Sequence, residues 1–191
     1  QRITTSAVKD GADYVINGAK TFITNGLLAD IIIVACKTDP TAKAKGVSLV
    51  VIETKDLRGF RRGRLLEKIG QQGQDTVELF FDDMRVPQAN LLGGEEGRGF
   101  AQLMQQLPRE RLLLAIGNAA VMQRAVDDTL AYTRERRIFG DALLQLQNTR
   151  FKLAECQTKA SLARSFVDDC VARLARNELD VPTAAMAKWW I

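Results

Sequence analysis

The sequence predicts an α+β protein of more than one domain, in which an antiparallel β-barrel or sandwich precedes an incomplete helical bundle. Residues 1–92 contain at least six short runs of β-branched and aromatic residues, separated by turn residues and without a helical pattern between them. Residues 100–191 instead repeat apolar residues at spacings of three and four, which is the period of an amphipathic helix. The glycine-rich residues 93–99 lie between the two patterns and predict a mobile linker.

The β half begins with a meander. Asp10-Gly11 and Asn17-Gly18 tolerate the positive φ angles of tight turns, so each pair predicts a hairpin between neighbouring strands. The further predicted strands are residues 31–37, 47–52 and 76–81. The first two of these are apolar enough to be buried on both faces of a sheet.

The helical half contains two long predicted helices, with breaks at Pro108 and at Phe139-Gly140. The apolar stripe of the first is Leu112, Ala115, Ala119, Met122, Val126 and Leu130. The second carries a heptad seam formed by Leu153, Cys156, Ala160, Ala163, Val167, Cys170 and Leu174. Its small residues permit close helix packing. A third helix is expected to begin near Val181-Pro182 and to be still in progress at Ile191, so we expect the chain to be part of a larger protein.

The composition excludes several kinds of chemistry. The 191 residues include no histidine and three cysteines, which excludes Ser-His and Cys-His catalysis and a four-thiolate zinc site. The net charge of +4 is spread along the chain and predicts no nucleic-acid surface. The apolar runs are far shorter than the roughly 18 residues that a membrane span needs. We therefore expect no metal site, and chemistry that depends on carboxylates, arginines, backbone groups or a bound cofactor.

Two charged clusters are candidates for function. Glu110 precedes a five-residue apolar run and could act as a base in an apolar cavity, although Pro108 and an acid near it are also ordinary helix-start signals. Residues 134–137 could present a guanidinium to a phosphate, or could simply complement the dipole at a helix C-terminus. From these residues alone both interpretations stay open.

Two other features have simple structural interpretations. Residues 22–26 end a strand with an aromatic ring, a hydroxyl and a turn, as an edge strand can do without any further role. Trp189 and Trp190 predict a contact with a core or with another subunit.

Four segments taken together resemble the acyl-CoA dehydrogenase family, and most closely its long-chain members. They are residues 14–26, 74–87, 107–112 and 136–140, and they keep the family's order and spacing across essentially the whole chain. The family has an N-terminal helical domain, a middle β-domain and a C-terminal four-helix bundle. By this resemblance, residues 1–92 are most of the middle β-domain with its flavin and substrate face, 93–99 are the linker, and 100–191 are the first part of the bundle.

The resemblance implies an FAD enzyme that introduces a double bond between the α and β carbons of a fatty acyl-CoA thioester. In this family a glutamate removes the α-proton while the β-hydrogen leaves as hydride to flavin N5. The electrons then pass to an electron-transfer flavoprotein. The resemblance implies a cytoplasmic enzyme in a bacterium, and an enzyme of the mitochondrial matrix in a eukaryote.

The resemblance also assigns roles to individual residues. Glu110 occupies the position of the catalytic base in long-chain and isovaleryl-type members, and Arg111 matches an arginine at the substrate site. Residues 22–24 match the strand end that lies against the flavin, with Phe22 where tryptophan is common, Ile23 beside it, and Thr24 as the donor toward N5.

Three further residues match contacts to FAD, namely Arg136, Phe139 and Gln147. Of these, Arg136 and Gln147 match contacts to the FAD of a neighbouring subunit, and these two imply a homo-oligomer, typically a tetramer. Two alternatives stay open: a flavin monooxygenase or acyl-CoA oxidase on the same fold, and a non-catalytic scaffold that assembles through its heptad seam.

Overall fold

The first half of the chain forms a six-stranded sheet. Its strands are β1 (Ser6–Asp10), β2 (Asp13–Thr24), β3 (Ile31–Lys37), β4 (Val47–Glu53), β5 (Phe60–Leu65) and β6 (Thr76–Pro87), in the spatial order β4-β3-β1-β2-β6-β5. The computed structural model describes residues 3–191 and divides into two units, the first ending at Leu103 and the second running from Met104 to Ile191. The predicted order of a sheet followed by helices is confirmed.

Four of the five strand pairings are antiparallel. The exception is β1 with β3, which pair in parallel through Ser6 and Lys37. The inner face of the sheet buries a continuous apolar core, whose largest fully buried members are Tyr14, Phe81, Ile16, Ile52, Leu79 and Met84.

The hairpin predicted at Asp10-Gly11 is confirmed, because Asp10 pairs with Asp13 across the turn. The hairpin predicted at Asn17-Gly18 is wrong, because β2 continues through both residues as far as Thr24. Opposite Asn17 the partner strand β6 carries an extra residue, so the pairing shifts by one position. The side chain of Asn17 satisfies this bulge: its Nδ2 donates to Asp83 Oδ1 at 2.9 Å, and its Oδ1 accepts from Asp83 N at 2.8 Å.

Burial of the strands also differs in part from the prediction. β4 is buried along almost its whole length, as expected. On β3, however, Ile31 and Ile33 are 65% and 56% exposed, so this strand is buried on one face only. The apolar run was misleading because a strand that is apolar on both faces has the same sequence pattern whether or not a second layer covers it.

Residues 93–99 are held against the sheet. The Tyr14 hydroxyl donates to Glu96 Oε1 at 2.6 Å, and Lys9 Nζ lies 3.0 Å from the same oxygen. Gly97 N donates to Ser48 Oγ at 2.9 Å, and a Cβ at Gly97 would collide with the Lys45 carbonyl. Hydrogen bonds therefore tie Glu96 and Gly97 to the sheet, and the glycine is explained by the close approach of two backbones.

The second half of the chain contains three helices, α1 (Gly99–Glu135), α2 (Gln147–Ala175) and α3 (Val181–Trp190). The break predicted at Pro108 is wrong, because α1 continues through this residue. Proline removes one backbone hydrogen bond, but the residues before it are mainly Ala, Gln, Leu and Met, which favour helix. The start of α3 is confirmed: Asp180 caps it by accepting a hydrogen bond from Thr183 N at 2.7 Å.

Small side chains make up most of the helical core in the second unit. Its buried members are Leu112, Ala115, Ala119, Ala163, Val167, Cys170 and Ala187. The centre of the predicted seam on α2 is buried, but Cys156 is exposed. Trp189 and Trp190 are also exposed, so the core contact expected of them is not formed within residues 104–191. Among the described residues, no helix is long and apolar enough to cross a membrane.

Leu112 and Leu113 provide a test of the helical core. Leu112 is fully buried and its neighbour is 59% exposed. We expect Leu112→Ala to lower the free energy of unfolding by about 2–5 kcal/mol, because it leaves a cavity. Leu113→Ala should change it by less than about 0.5 kcal/mol. Urea unfolding followed by circular dichroism measures both values, and equal losses would contradict this assignment of the core.

The Tyr14–Glu96 contact predicts a pH dependence. The hydrogen bond from Tyr14 lowers the pKa of Glu96, so the ionised carboxylate stabilises the folded state above its ordinary pKa of 4.5. This contribution is lost as the pH falls through the lower, folded-state pKa. Burial, together with Glu96, raises the pKa of Tyr14, which keeps the phenol protonated and able to donate.

We expect Tyr14→Phe to raise the pKa of Glu96 toward its ordinary value, and so to weaken the dependence of stability on pH in the acid range. Unfolding free energies measured from about pH 3 to pH 6 test this. Tyr132→Phe is the matched control, because Tyr132 is the other tyrosine of the chain and is exposed. If Tyr14→Phe and Tyr132→Phe behave alike, the hydrogen bond does not set the pKa of Glu96.

Candidate functional site

The end of β2 is shaped by a second bulge. Lys20 pairs with Leu79 and Ile23 pairs with Val77, so Thr21 and Phe22 together face the single residue Glu78. A bulge of this kind changes the direction in which a side chain points. Phe22 adopts a φ of +60°, which is uncommon for an aromatic residue, and its ring is 76% exposed.

Thr24 is the last paired residue of β2. It pairs with Thr76, and its side chain is exposed. The intervening Ile23 is half-buried and packs against the apolar core of the sheet. The strand end therefore offers an aromatic face and a hydroxyl, fixed to the core by the residue between them.

An open cleft of about 590 Å³ lies close to this strand end. Its apolar lining comes from Leu27, Leu28 and Leu65, and its polar lining includes Lys68 and Asp75. Half of the lining residues are polar or charged, so this open cleft differs from the mainly apolar pockets that usually hold small molecules.

Glu110 and Arg111 are consecutive residues of α1 in the second unit. Glu110 is exposed and Arg111 is half-buried, while the next residue, Leu112, is fully buried in the helical core. Successive residues of a helix are about 100° apart around its axis. The carboxylate therefore lies on the side of α1 away from the core, where a ligand can reach it.

A short hairpin joins α1 to α2 and carries the remaining candidates. It consists of β7 (Arg137–Ile138) and β8 (Asp141–Ala142), connected through Phe139 and Gly140. These two residues have φ angles of +52° and +91°, the combination that a type I′ turn requires. The turn leaves the ring of Phe139 92% exposed.

Arg136 and Gln147 mark the two ends of this connection. Arg136 follows the last residue of α1, and its main chain is fixed by bonds from its own N to Tyr132 O at 2.9 Å and from Leu143 N to its O at 2.7 Å. Gln147 is the first residue of α2. Both side chains are exposed. One segment thus presents a guanidinium, an aromatic ring and an amide.

The predicted residues fall into two groups, one in each unit. Phe22, Ile23 and Thr24 are together on β2, and the other five are on α1 and on the segment up to the start of α2. The sequence did not reveal the bulge at Phe22, because an aromatic residue is a poor signal for positive φ. It also missed Asp75 and Arg62, which hold the turn after Thr24. Asp75 lies inside a segment that carried the family resemblance, but nothing in its sequence context indicated a role.

The described residues contain no cluster of potential metal ligands. Nowhere in residues 3–191 do three or more cysteine or carboxylate side chains come together as a set that could hold a metal ion.

Comparisons with known proteins match both units. The family model of the acyl-CoA dehydrogenase middle domain matches residues 1–84, and that of the acyl-CoA dehydrogenase C-terminal domain matches residues 97–191. The chain is 43% identical to the mitochondrial long-chain specific acyl-CoA dehydrogenase of Sus scrofa, over all of this chain and 44% of that protein. The chain spans less than half the length of this relative.

Solved structures of acyl-CoA dehydrogenases also resemble this chain over nearly its whole length. An acyl-CoA dehydrogenase from Geobacillus kaustophilus superimposes with a TM-score of 0.95 at 49% identity, covering 99% of this chain and 50% of the other. A structure described as electron transferring flavoprotein of Acidaminococcus fermentans superimposes with a TM-score of 0.93 at 35% identity, covering 98% of this chain and 49% of the other.

Two glycines test the turn that presents Phe139. A Cβ added at Gly140 or at Gly117 meets no atom within 4 Å, so only the backbone distinguishes the two positions. Gly140 has positive φ, and we expect Gly140→Ala to destabilise the protein by about 1 kcal/mol. Gly117 lies within α1, and Gly117→Ala should stabilise it by about 1 kcal/mol. Urea unfolding measures both, and the same sign for both variants would contradict the type I′ turn.

Proposed function

The chain belongs to the acyl-CoA dehydrogenase family, and we propose that it acts in the FAD-dependent dehydrogenation of a fatty acyl-CoA thioester. The main support is that the family's models match both units, at 43% identity to a long-chain specific relative. Members of this family use FAD. The residues at the strand end and on the α1–α2 segment suit such a group, because they offer aromatic faces, hydrogen-bond donors and a cation on exposed surface.

FAD, when bound, would supply the acceptor for the hydride that leaves the β-carbon of the substrate. Phe22 lies against the flavin ring with its exposed aromatic face, and the bulge in β2 fixes the direction of that face. Ile23 anchors the strand end in the core, and the Thr24 hydroxyl donates a hydrogen bond toward the flavin. Because these groups are fixed before the ligand binds, little ordering is needed at that moment.

Glu110 is the proposed base. Its carboxylate oxygen takes the proton from the α-carbon, and its exposed position on α1 leaves it accessible to a ligand. Arg111, the next residue, contacts the substrate with its guanidinium. A glutamate carboxylate is one of the side chains that commonly act as a general base.

Arg136, Phe139 and Gln147 are proposed to bind the FAD of a neighbouring subunit. The guanidinium of Arg136 suits a diphosphate, because it forms charge-assisted hydrogen bonds to phosphate oxygens. This arrangement requires a homo-oligomer, and we propose a tetramer. All three side chains are exposed in the single chain, as a contact across subunits requires.

The proposed electron acceptor is an electron-transfer flavoprotein. The Sus scrofa relative is mitochondrial, which supports a matrix location if the organism is a eukaryote. In a bacterium the corresponding compartment is the cytoplasm.

Glu110→Gln tests the proposed base. Glutamine keeps the size of the side chain but cannot take the proton, so we expect reduction of the flavin to slow by about 10²–10⁴-fold. Substrate should still bind and perturb the flavin spectrum. The measurement is an anaerobic titration of the holoenzyme with palmitoyl-CoA, following the bleaching of the oxidised flavin band.

Asp127→Asn is the control, because it removes another exposed carboxylate from the same helix, away from residues 134–137. Bleaching of Glu110→Gln at the wild-type rate would show that Glu110 is not the base. A wild-type protein without flavin would overturn the dehydrogenase proposal. Rapid reoxidation of the reduced flavin by oxygen would indicate an oxidase instead.

A further inference from the structure

The turn after Thr24 is held by one residue of the neighbouring strand connection. Asp75 directly precedes Thr76, which is the residue paired with Thr24. Its main-chain O accepts from Asn25 N at 3.3 Å, and its side-chain Oδ2 accepts from Leu27 N at 3.0 Å. Asp75 therefore fixes two successive points of the chain just beyond the strand end.

Arg62 holds the same turn from β5. Its Nε donates to Gly26 O at 3.0 Å, and one Nη donates to Ala29 O at 2.8 Å and to Thr54 Oγ1 at 3.0 Å. Thr54 Oγ1 itself donates to Ala29 O at 2.9 Å. The half-buried guanidinium of Arg62 thus bonds to both ends of the turn, at Gly26 and Ala29, and to Thr54, which follows the end of β4.

The strand end before this turn needs external support because the backbone of Phe22 is in an unfavourable conformation. Phe22 and Asn25 both have φ near +60°, and neither is glycine. Conformations of this kind persist only where the surrounding structure fixes them, and they cluster at binding sites. Arg62 and Asp75 supply charged hydrogen-bonding groups to the segment that follows, and such bonds are stronger than neutral ones.

Burial of the Asp75 carboxylate also needs an explanation. Its second oxygen, Oδ1, is buried and has no hydrogen-bond partner among residues 3–191. Burying an unpaired carboxylate oxygen is unfavourable, so this side chain is poorly explained as general support for the fold. The carboxylate of Asp75 accepts a hydrogen bond from Leu27 N and so fixes the chain just after the strand end. This contact accounts for the position of the carboxylate.

We propose that Asp75 and Arg62 are positioning residues for the flavin, which fix the strand end that carries Phe22 and Thr24. This inference rests on the proposed function. Neither residue contacts the flavin in the proposal. They act by holding residues 25–29, so that the bulged end of β2 keeps the direction that the flavin requires.

The experiment measures FAD binding by the holoenzyme. We expect Asp75→Ala and Arg62→Met each to weaken FAD binding at least about tenfold, the effect of losing one hydrogen bond to a charged group. The visible spectrum and reduction potential of the remaining flavin should also shift, while far-ultraviolet circular dichroism stays unchanged. Asp75→Asn retains an oxygen acceptor for Leu27 N and should restore most of the binding.

Two matched controls come from the same strands. Asp82→Ala removes an exposed carboxylate from β6, and Arg61→Met removes the neighbouring arginine of β5, which lies 4.2 Å from the centre of the Phe80 ring. Neither should alter FAD binding or the flavin spectrum.

Wild-type binding by Asp75→Ala and Arg62→Met would overturn the inference, and so would equal losses in the controls. If Asp75→Ala does not fold, Arg62→Met decides, with Arg62→Lys as its partial replacement. A wild-type protein that binds no FAD would instead overturn the proposed function, so the two failures are distinguishable.

Discussion

The pairing of β2 with β6 is the interaction on which the first unit depends. These are the two longest strands, each of twelve residues, and they lie side by side within the sheet. Their inward residues, among them Tyr14, Ile16, Leu79 and Phe81, form the centre of the apolar core. The same pairing positions the hydroxyl of Tyr14, which donates a hydrogen bond to Glu96 in the linker. At the opposite end of the pairing it positions Thr24. The core of this unit, the Tyr14–Glu96 contact and the strand end that carries Thr24 therefore all depend on one ladder of backbone hydrogen bonds.

Two β-bulges interrupt the pairing of β2 with β6, and they differ in how their backbone is supported. The bulge near Asn17 is satisfied by side-chain hydrogen bonds to Asp83, so the strands continue without an unpaired polar group. The bulge at Phe22 is not satisfied within its own strand pair in this way. It turns an aromatic ring outward in a strained conformation, and the support comes from Arg62 of β5 and from Asp75 in the connection before β6. The first bulge is structural, whereas the second suits a ligand.

The second unit separates its core from its candidate ligand groups. Alanine and cysteine fill most of the buried core, so the helices pack through small side chains. The long or charged groups Glu110, Arg136 and Gln147 are all exposed. A core of small residues leaves little room for a buried ligand within it. The side chains that could take part in binding or catalysis therefore lie where a cofactor, a substrate or another subunit can reach them.

The sequence by itself determined the class of fold, the change of period near residue 99, the start of α3 and the family. These follow from local signals: a period of two or of 3.6, a proline near the start of a helical pattern, and motifs in a fixed order. Only the tertiary structure decided how Asn17-Gly18 and Pro108 are used, which face of β3 is covered, and that residues 93–99 are held to the sheet. Most of these depend on a partner that is distant in sequence, such as Asp83 for Asn17 or Ser48 for Gly97. A local pattern shows what a residue tolerates, but the contacts of the folded chain decide which of the tolerated conformations it adopts.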